Sequence, residues 1–422
     1  MVTDRRHEPA VPAHPAAGGW TDRTALAAVT ETLGLRVAYE ILDGGSPARV
    51  YRATTAAGED LAVKVLVPAR GAVDGHDLVS FRRKVHQIEL LRTVAPRLAA
   101  HYLPITHSLD GDGWSACTTP FYDSVDLAAP LRESAQGTRE FFGRYTAVTR
   151  ALVLDGYAAQ SHPAPAGYVA ETVVGRFLRR LPALREALPA DLPAAGRFAV
   201  NGVPCEHPHV VLERLTDRLA PLAPPRLMAP AHGDANTRNV LLSARPDAAA
   251  VDFRLIDPRG STEPWDPVYD LAKTLFSLTV WDPALRLGFS VRRSGRPGRR
   301  VGYEVGFRQP AFPGYRAAIH RFLPHLESCE GLAVLFRDDP GWLQRLLLTH
   351  DLHVLAEAPC RLSDRKPKPD LLGKDSAPAE LALGHYLLGT LLINDLAGQL
   401  DRAGRVDAGS HLALVADHLP GG

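Results

Sequence analysis

The segment AHGDANTRNVLL (231–242) decides the expected fold of this 422-residue chain. It places Asp234 in a polar loop, and Asn239 follows at the start of a short apolar strand. The next segment, FRLIDPRG (253–260), is a strand that ends in Asp257, where a side chain can emerge into the following turn. We therefore expect these three oxygen-bearing side chains to converge on one site.

Asp234, Asn239 and Asp257 are the residue types that phosphoryl transfer from ATP needs. One carboxylate must orient the acceptor hydroxyl and accept its proton. An Asn and a second Asp must hold Mg²⁺ on the phosphates, because magnesium prefers hard oxygen ligands. A helix-capping Asp and Asn in a loop, and a turn-forming Asp-Pro, are the simpler structural alternatives.

Upstream residues predict a nucleotide site. Lys64 lies mid-strand in the apolar run LAVKVLV (61–67), and Glu89 on the following helix is its natural partner. A lysine paired in this way can contact nucleotide phosphates. The turn before these elements contains Gly45 and Ser46, whose backbone N–H groups could approach the same phosphates, although a plain hairpin turn explains the glycines equally well.

The hydrophobic periodicity predicts a change of architecture along the chain. After a helix at 22–34, strands are expected at 36–43, 48–54 and 61–67, then a helix at 77–94 and strands at 103–109 and 114–119. From Ser124 the chain is mostly helical, with short strands at 240–242 and 250–256. The expected helices of this part are 137–160, 169–180, 207–219, 268–280, 312–327, 341–357 and 377–400.

Several segments together resemble a known family. They are AVKV (62–65), the helix that carries Glu89, AHGDANTRN (231–239), LIDPRG (255–260) and DPVYDLAK (266–273). The chain resembles the aminoglycoside phosphotransferase and choline kinase group over roughly residues 35–280. The resemblance implies an α+β, two-lobed protein-kinase-like fold. Its small N-terminal lobe would be an antiparallel sheet with one main helix, and its larger C-terminal lobe mostly helical.

The resemblance also implies roles for individual residues. Asp234 would be the catalytic base, Asn239 and Asp257 the Mg²⁺ ligands, and Lys64 a phosphate contact that Glu89 orients. His232 and Asp270 would support the catalytic loop, and the adenine-binding hinge would fall near residues 120–123. Gly45 and Ser46 would contact phosphate, but GGSPARV (44–50) lacks the full G-x-G-x-x-G pattern. The implied cofactors are ATP or GTP and Mg²⁺.

Asp252-Phe253-Arg254 imitates the Asp-Phe-Gly metal motif of protein kinases. We reject it because Asp252 lies mid-strand, where alternation places its carboxylate on the face opposite Phe253. The expected metal turn therefore reads Asp-Pro-Arg-Gly (257–260).

The expected organisation has four parts. Residues 1–20, rich in Pro, Ala and Gly, are expected to be a disordered tail. Residues 21–122 would form the nucleotide-binding lobe. Residues 123–403 would form the helical lobe with the catalytic loop and the acceptor pocket, and residues 404–422 a C-terminal tail that includes a short helix.

Composition narrows the partners and the location. Lys plus Arg number 48 and Asp plus Glu 47, which argues against a nucleic-acid partner. The four cysteines are far apart, which is typical of reduced thiols in a cytoplasmic protein. No apolar run approaches the ~18 residues of a membrane span. The sequence does not predict an oligomeric state.

Two basic segments, 286–308 and 361–374, bear on the acceptor. They are either solvated loops or a surface that faces an anionic acceptor. Because they would repel a polycationic aminoglycoside, we expect a small-molecule hydroxyl acceptor that is neutral or anionic, such as a sugar. Two alternatives remain open: nucleotidyl transfer on the same fold, and a non-catalytic kinase-like binding protein, which the intact set of polar residues disfavours.

Overall fold

The N-terminal lobe is an antiparallel sheet with a helix on each face. The computed structural model describes residues 19–41, 47–69, 75–244, 252–294, 301–362 and 368–417. The sheet order is β1-β2-β3-β5-β4. The elements of this lobe are α1 (Asp22–Leu33), β1 (Arg36–Ile41), β2 (Arg49–Thr54), β3 (Asp60–Leu66), α2 (Leu78–Val94), α3 (Pro96–Ala99), β4 (His107–Gly111) and β5 (Trp114–Pro120).

Alternation along β3 determines where Lys64 points. Val63 and Val65 are fully buried and pack in the cluster that includes residues of α1. Lys64 lies between them on the opposite face, which α2 covers. Since side chains of a strand alternate between its two faces, the two valines face α1 and Lys64 faces α2.

The first described residues are part of the N-terminal lobe. Thr21 caps α1 by accepting a hydrogen bond from the Thr24 amide, and Gly34 ends the helix in the left-handed region with φ of 61°. The Trp20 ring packs on Trp114 with a centroid separation of 5.5 Å. Trp20 was expected in the tail, but its apolar ring is held by this contact, while residues 1–18 lie outside the described residues.

The C-terminal lobe is mostly helical, and its described residues form three small sheets among the helices. Its strands are β6 (Ser124–Asp126), β7 (Gln160–Pro163), β8 (Phe198–Val200), β9 (Val203–Cys205), β10 (Arg226–Ala229), β11 (Val240–Ser243), β12 (Phe253–Leu255), β13 (Phe289–Ser294) and β14 (Gly302–Phe307). Its helices are α4 (Ala129–Glu133), α5 (Gly137–Arg150), α6 (Gly175–Arg185), α7 (Asp191–Ala194), α8 (Pro208–Leu219), α9 (Val268–Phe276), α10 (Asp282–Leu287), α11 (Pro313–Ser328), α12 (Glu330–Leu335), α13 (Trp342–Leu362), α14 (Pro378–Ala403) and α15 (Ala408–Ala416).

Several element boundaries differ from the sequence prediction, including the start of β4 and the end of the helix expected over 137–160. The strand expected from residue 103 begins at His107, because the Leu103 amide donates to the Leu255 carbonyl of the other lobe instead. The helix expected over 137–160 leaves α-helical geometry after Arg150, passes through a π-helical segment, and reaches strand β7 at Gln160. The expected α+β organisation, with an N-terminal antiparallel sheet lobe and a mostly helical C-terminal lobe, is confirmed.

A buried polar network attaches α15 to the helices beneath it. His411 contacts the carboxylates of Asp351 at 3.1 Å and Asp395 at 2.8 Å. His350 Nδ1 lies 2.9 Å from the same Asp351 oxygen. The short helix expected in the C-terminal tail is α15, and this network packs it on the lobe. Although burial lowers the pKa of His411, its two carboxylate partners outweigh that effect and raise it to about 9.

This network predicts a pH dependence of stability. Because the folded-state pKa of His411 lies above its unfolded value of about 6.5, its contribution is complete below that pH. It is lost as the pH rises through about 9. We expect His411→Gln to lower the free energy of unfolding by up to about 3 kcal/mol at pH 6, and by much less at pH 9.5. Urea unfolding at both pH values measures this difference.

The exposed His320 on α11 provides the control, since His320→Gln also removes one imidazole near α15. Equal losses for His411→Gln at both pH values would contradict a charged His411.

Within the described ranges, no helix combines the length and the apolar character that a membrane crossing requires.

Candidate active site

A cavity of about 620 Å³ lies between the two lobes, and four of the predicted polar residues line it. Lys64 lines it from the N-terminal sheet, whereas Asp234, Asn239 and Asp257 line it from the C-terminal lobe. These four side chains come from segments that are up to 193 positions apart in the chain. The expected convergence around one cavity is therefore what the structure shows.

Asp270 at the start of α9 holds the loop that carries Asp234. Its side chain is only 1% exposed. One carboxylate oxygen accepts from the His232 amide at 2.9 Å and the other from the Ala235 amide at 3.3 Å. The Tyr157 hydroxyl also donates to it. A buried carboxylate that binds two loop amides fixes the backbone on both sides of Asp234.

His232 connects this loop to the strand that leads to Asp257. Its Nδ1 accepts from the Asp234 amide at 3.2 Å, so the proton lies on Nε2, which donates to the Ile256 carbonyl at 3.1 Å. Burial lowers the pKa of His232, and the neutral ring suits one donor and one acceptor. His232 and Asp270 thus contact the loop backbone, as expected of supporting residues.

Gly233 permits the tight turn before Asp234. Its φ is +74°, and a Cβ at this position would lie 2.5 Å from Arg259 Cβ. The Arg259 amide donates to the His232 carbonyl at 2.8 Å, which brings the two segments together at this point. Only glycine satisfies both the positive φ and this close approach.

The Asp234 carboxylate is held by an amide and an ammonium group. Asn239 Nδ2 lies 3.2 Å from Asp234 Oδ2 and 2.9 Å from the Asp234 carbonyl. Lys273 Nζ lies 3.1 Å from the other carboxylate oxygen, Oδ1. Lys273 was not predicted as a site residue. Its spacing of three residues from Asp270 on one helix is the signal that could have identified it, since such residues share a face.

Asp257 lies between two lysines. Its Oδ2 is 2.7 Å from Lys64 Nζ and its Oδ1 is 2.8 Å from Lys84 Nζ. Burial alone would raise the pKa of Asp257, but the two ammonium groups outweigh it and hold the pKa well below its usual range. Asp257 also has φ of +55°, a left-handed conformation that is uncommon outside glycine and that recurs at functional sites.

The predicted pair of Lys64 with Glu89 is wrong. Lys64 contacts Asp257, and Glu89 is exposed on α2. At about 100° per residue, Glu89 lies roughly 140° around the helix from Lys84, so the two cannot face the same cavity. Lys84 is the residue of α2 that reaches this carboxylate.

Gln87 is a second residue of α2 that sequence reasoning missed. It is 1% exposed, and its Nε2 donates to the Ala231 carbonyl at 2.7 Å. Its Oε1 accepts from the amides of Gly260 at 2.7 Å and Ser261 at 3.1 Å. One side chain thereby ties α2 to both segments that carry the site carboxylates. A buried Gln in an otherwise apolar helix face is the signal for such a role.

Other predicted positions have varied outcomes. Residues 120–123, the expected hinge, line the cavity. Gly45 and Ser46 lie outside the described residues. Asp252 accepts from the Tyr122 hydroxyl at 3.2 Å and lies 3.4 Å from Arg254. It precedes β12 rather than lying mid-strand as expected, and it does not line the cavity that Asp257 lines.

Apart from Arg361, the described cations of the two basic segments do not line the cavity, so they do not favour the interpretation as a surface that faces the acceptor. Within 286–308, Arg286 pairs with Asp126 and Asp282, and Arg292 pairs with Glu304 across the β13–β14 hairpin. Residues 295–300 and 363–367 are outside the described ranges. Of the described cations in the two segments, Arg361 lines the cavity. The physical reason is that the arginines of the hairpin have acidic neighbours of their own.

Comparison with known proteins assigns the chain to a family. The sequence model of the phosphotransferase enzyme family matches residues 38–305, which is more than half of the chain. The chain belongs to this family. The match confirms the resemblance that the motifs indicate, and it spans both the N-terminal sheet and the loop of Asp234. No curated protein sequence matches this phosphotransferase.

Solved structures similar to this phosphotransferase include three small-molecule kinases. A Thermobifida fusca protein described as a fructosamine-3-kinase shares 18% identity, with 88% of this chain and 99% of that chain covered and a TM-score of 0.43. An aminoglycoside-3'-phosphotransferase of type VIII shares 17%, with coverages of 76% and 98% and a TM-score of 0.41. A glucosamine kinase shares 13%, with coverages of 86% and 94% and a TM-score of 0.42.

Proposed function

We propose that this phosphotransferase moves the γ-phosphoryl group of ATP or GTP to a hydroxyl of a small molecule, with Mg²⁺ as the required ion. The acceptor would be a sugar or another neutral or anionic metabolite. The observation that carries the proposal is the presence of Lys64, Asp234, Asn239 and Asp257 around one cavity between the lobes.

The donor set fits a magnesium ion. Asp257 offers carboxylate oxygens, and Asn239 uses its Nδ2 on Asp234, so its Oδ1 is the atom that it can offer to a metal. Lys64 and Lys84 already lie within 2.8 Å of the Asp257 carboxylate, so a bound metal ion would share these oxygens with the two ammonium groups. The bound ion would supply neutralisation of the charge that develops on the phosphates.

The residues of the chain divide the remaining work. Asp234 orients the acceptor hydroxyl and accepts its proton, while Asn239 and Lys273 hold its carboxylate in place. Lys64 and Lys84 bind phosphate oxygens. Apolar residues of both lobes, including Ala62 and Leu241, line the same cavity and provide a surface for the nucleobase. Positioning and charge neutralisation provide most of the catalysis in this reaction type.

Product analysis tests the proposal. The protein is incubated with Mg·ATP or Mg·GTP and a panel of hydroxyl compounds, and the masses of the products are measured by mass spectrometry. We expect a product that has gained one phosphoryl group, and no product when EDTA removes the metal. Thermal unfolding with a non-hydrolysable nucleotide should show stabilisation that requires Mg²⁺.

Two outcomes would contradict the proposal. A product that has gained a nucleotidyl group would indicate nucleotidyl transfer. A nucleotide that neither stabilises the protein with Mg²⁺ nor is consumed would indicate a non-catalytic binding protein.

A further inference from the structure

One wall of the cavity is rich in cations. Arg176 and Arg180 of α6, Lys273 of α9 and Arg361 of α13 all line it. The three helices pack against one another, with α13 in contact with both α6 and α9. Arg180 and Arg361 are 8% and 2% exposed, so these guanidinium groups belong to a formed wall rather than to a solvated surface.

The wall adjoins the proposed reaction centre. Lys273 Nζ is 3.1 Å from the Asp234 carboxylate. Arg176 donates to the Tyr269 hydroxyl, and the Tyr269 ring packs edge-on against His353 at 4.6 Å. Arg180 Nη1 lies 3.2 Å from Cys360 Sγ, one position before Arg361. A group bound by these arginines would therefore lie within the cavity that contains Asp234.

The cations of the wall affect the pKa values of two titratable groups, Glu357 and His353. Burial alone would raise the pKa of Glu357, but Arg361 and Lys273 outweigh it and lower the pKa to about 2. Burial lowers the pKa of His353, and Lys273 and Arg176 lower it further. The lowered pKa of Glu357 agrees with positive potential from Arg361 and Lys273, whereas burial is the first cause of the lowered pKa of His353.

Glu357 is the acidic group among the described residues of this wall. Its Oε1 lies 2.8 Å from Arg361 Nη2 and accepts from the Trp281 indole N–H at 2.8 Å. This carboxylate is therefore held at the Arg361 end of the wall. Arg176 and Arg180, one helical turn apart on α6, line the same cavity.

We infer that the acceptor carries an anionic oxygen group, a carboxylate or a phosphate, which the wall of Arg176, Arg180 and Arg361 binds. The inference rests on the proposed phosphotransfer at Asp234. Guanidinium groups bind such planar or tetrahedral anions through paired N–H donors, and they do so most strongly when shielded from water. The anion would anchor the acceptor while its hydroxyl lies at Asp234.

Matched compounds that differ in one substituent test the inference. The first set is glucose, glucuronate, glucose 6-phosphate and glucosamine, and the second is glycerol, glycerate, glycerol 3-phosphate and serinol. Calorimetric binding with Mg·ADP present and steady-state transfer from Mg·ATP are both measured. We expect a carboxylate or phosphate member to bind and react best, and the two anions in each set distinguish between these groups.

Arg176→Gln probes the wall, because Arg176 is only partly buried and its replacement is tolerable for folding. We expect it to raise KM for the anionic acceptor about 10- to 100-fold. The kcat value and the KM for the neutral compound should be nearly unchanged. Arg176→Lys should recover part of the loss. The exposed Arg179 on the same helix supplies the control, so Arg179→Gln should change neither constant.

Separate results identify which claim fails. If Mg·nucleotide binds but neutral or amine-bearing compounds bind as well as the anionic ones, or if none of the compounds binds, the inference is wrong while the proposed function stands. Equal changes from Arg176→Gln in neutral and anionic substrates would also overturn it. If Mg·nucleotide is neither bound nor consumed, the proposed function itself fails.

Discussion

Replacing Asp234 with Asn is expected to lower the rate of phosphoryl transfer by about 10²- to 10⁴-fold. The amide keeps the size of the side chain but cannot accept the acceptor proton. Because Asp234 is placed by Asp270 and His232 through backbone contacts, the loop should keep its shape. Single-turnover transfer from Mg·ATP measures the loss, and Mg·ATP affinity should change by less than about threefold.

Asp252→Asn is the matched control for this substitution. Asp252 precedes the strand that leads to Asp257 and contacts Tyr122 and Arg254 rather than the Asp234 loop. Its replacement should leave the transfer rate unchanged. A rate for Asp234→Asn within about tenfold of the wild-type rate would contradict the role of Asp234 as the base.

Replacing Asp257 with Asn is expected to abolish the dependence of nucleotide affinity on Mg²⁺. It removes the carboxylate that we assign to the metal, and it also leaves Lys64 and Lys84 facing each other without their shared partner. The free energy of unfolding should fall by about 3 kcal/mol, the lower end for a broken buried pair, because the cavity admits water. Titrations of ATP with and without Mg²⁺ measure the first effect and urea unfolding the second.

Lys84→Met separates these two effects. It removes one of the two ammonium groups but leaves Asp257 in place, so ATP should bind more weakly while Mg²⁺ still strengthens binding. If Mg²⁺ still increases the ATP affinity of Asp257→Asn as much as it does for the wild type, the assignment of Asp257 as a metal ligand is contradicted.

The arrangement of the lobes could be predicted because local patterns and the fold agree. In β3 the buried Val63 and Val65 alternate with Lys64, so the apolar run marks both a strand and its core face. The helix expected over 22–34 agrees with α1 for the same reason, since Thr21 caps it and Gly34 ends it. The start of β4 could not be predicted, since a contact between Leu103 and the distant Leu255 decides it.

In the candidate site, too, local sequence patterns determine some features and tertiary packing determines others. The convergence of Asp234, Asn239 and Asp257 on one cavity could be predicted because each follows or precedes a short strand that the sequence pattern marks. The partner of Lys64 could not, because Val85, Ile88 and Leu91 define the core face of α2 without showing which edge of that face meets the cavity. Lys84 and Glu89 lie on opposite edges, and the packing of α2 on the other lobe through Gln87 decides between them.

A crystal structure with Mg²⁺ and a non-hydrolysable ATP analogue tests the central claim most directly. The account predicts a metal ion bound by Asp257 and Asn239 oxygens, with Lys64 on the phosphates and the Asp234 carboxylate facing the γ-phosphoryl group. A nucleotide bound outside the cavity, or a metal ion that neither Asp257 nor Asn239 contacts, would contradict it.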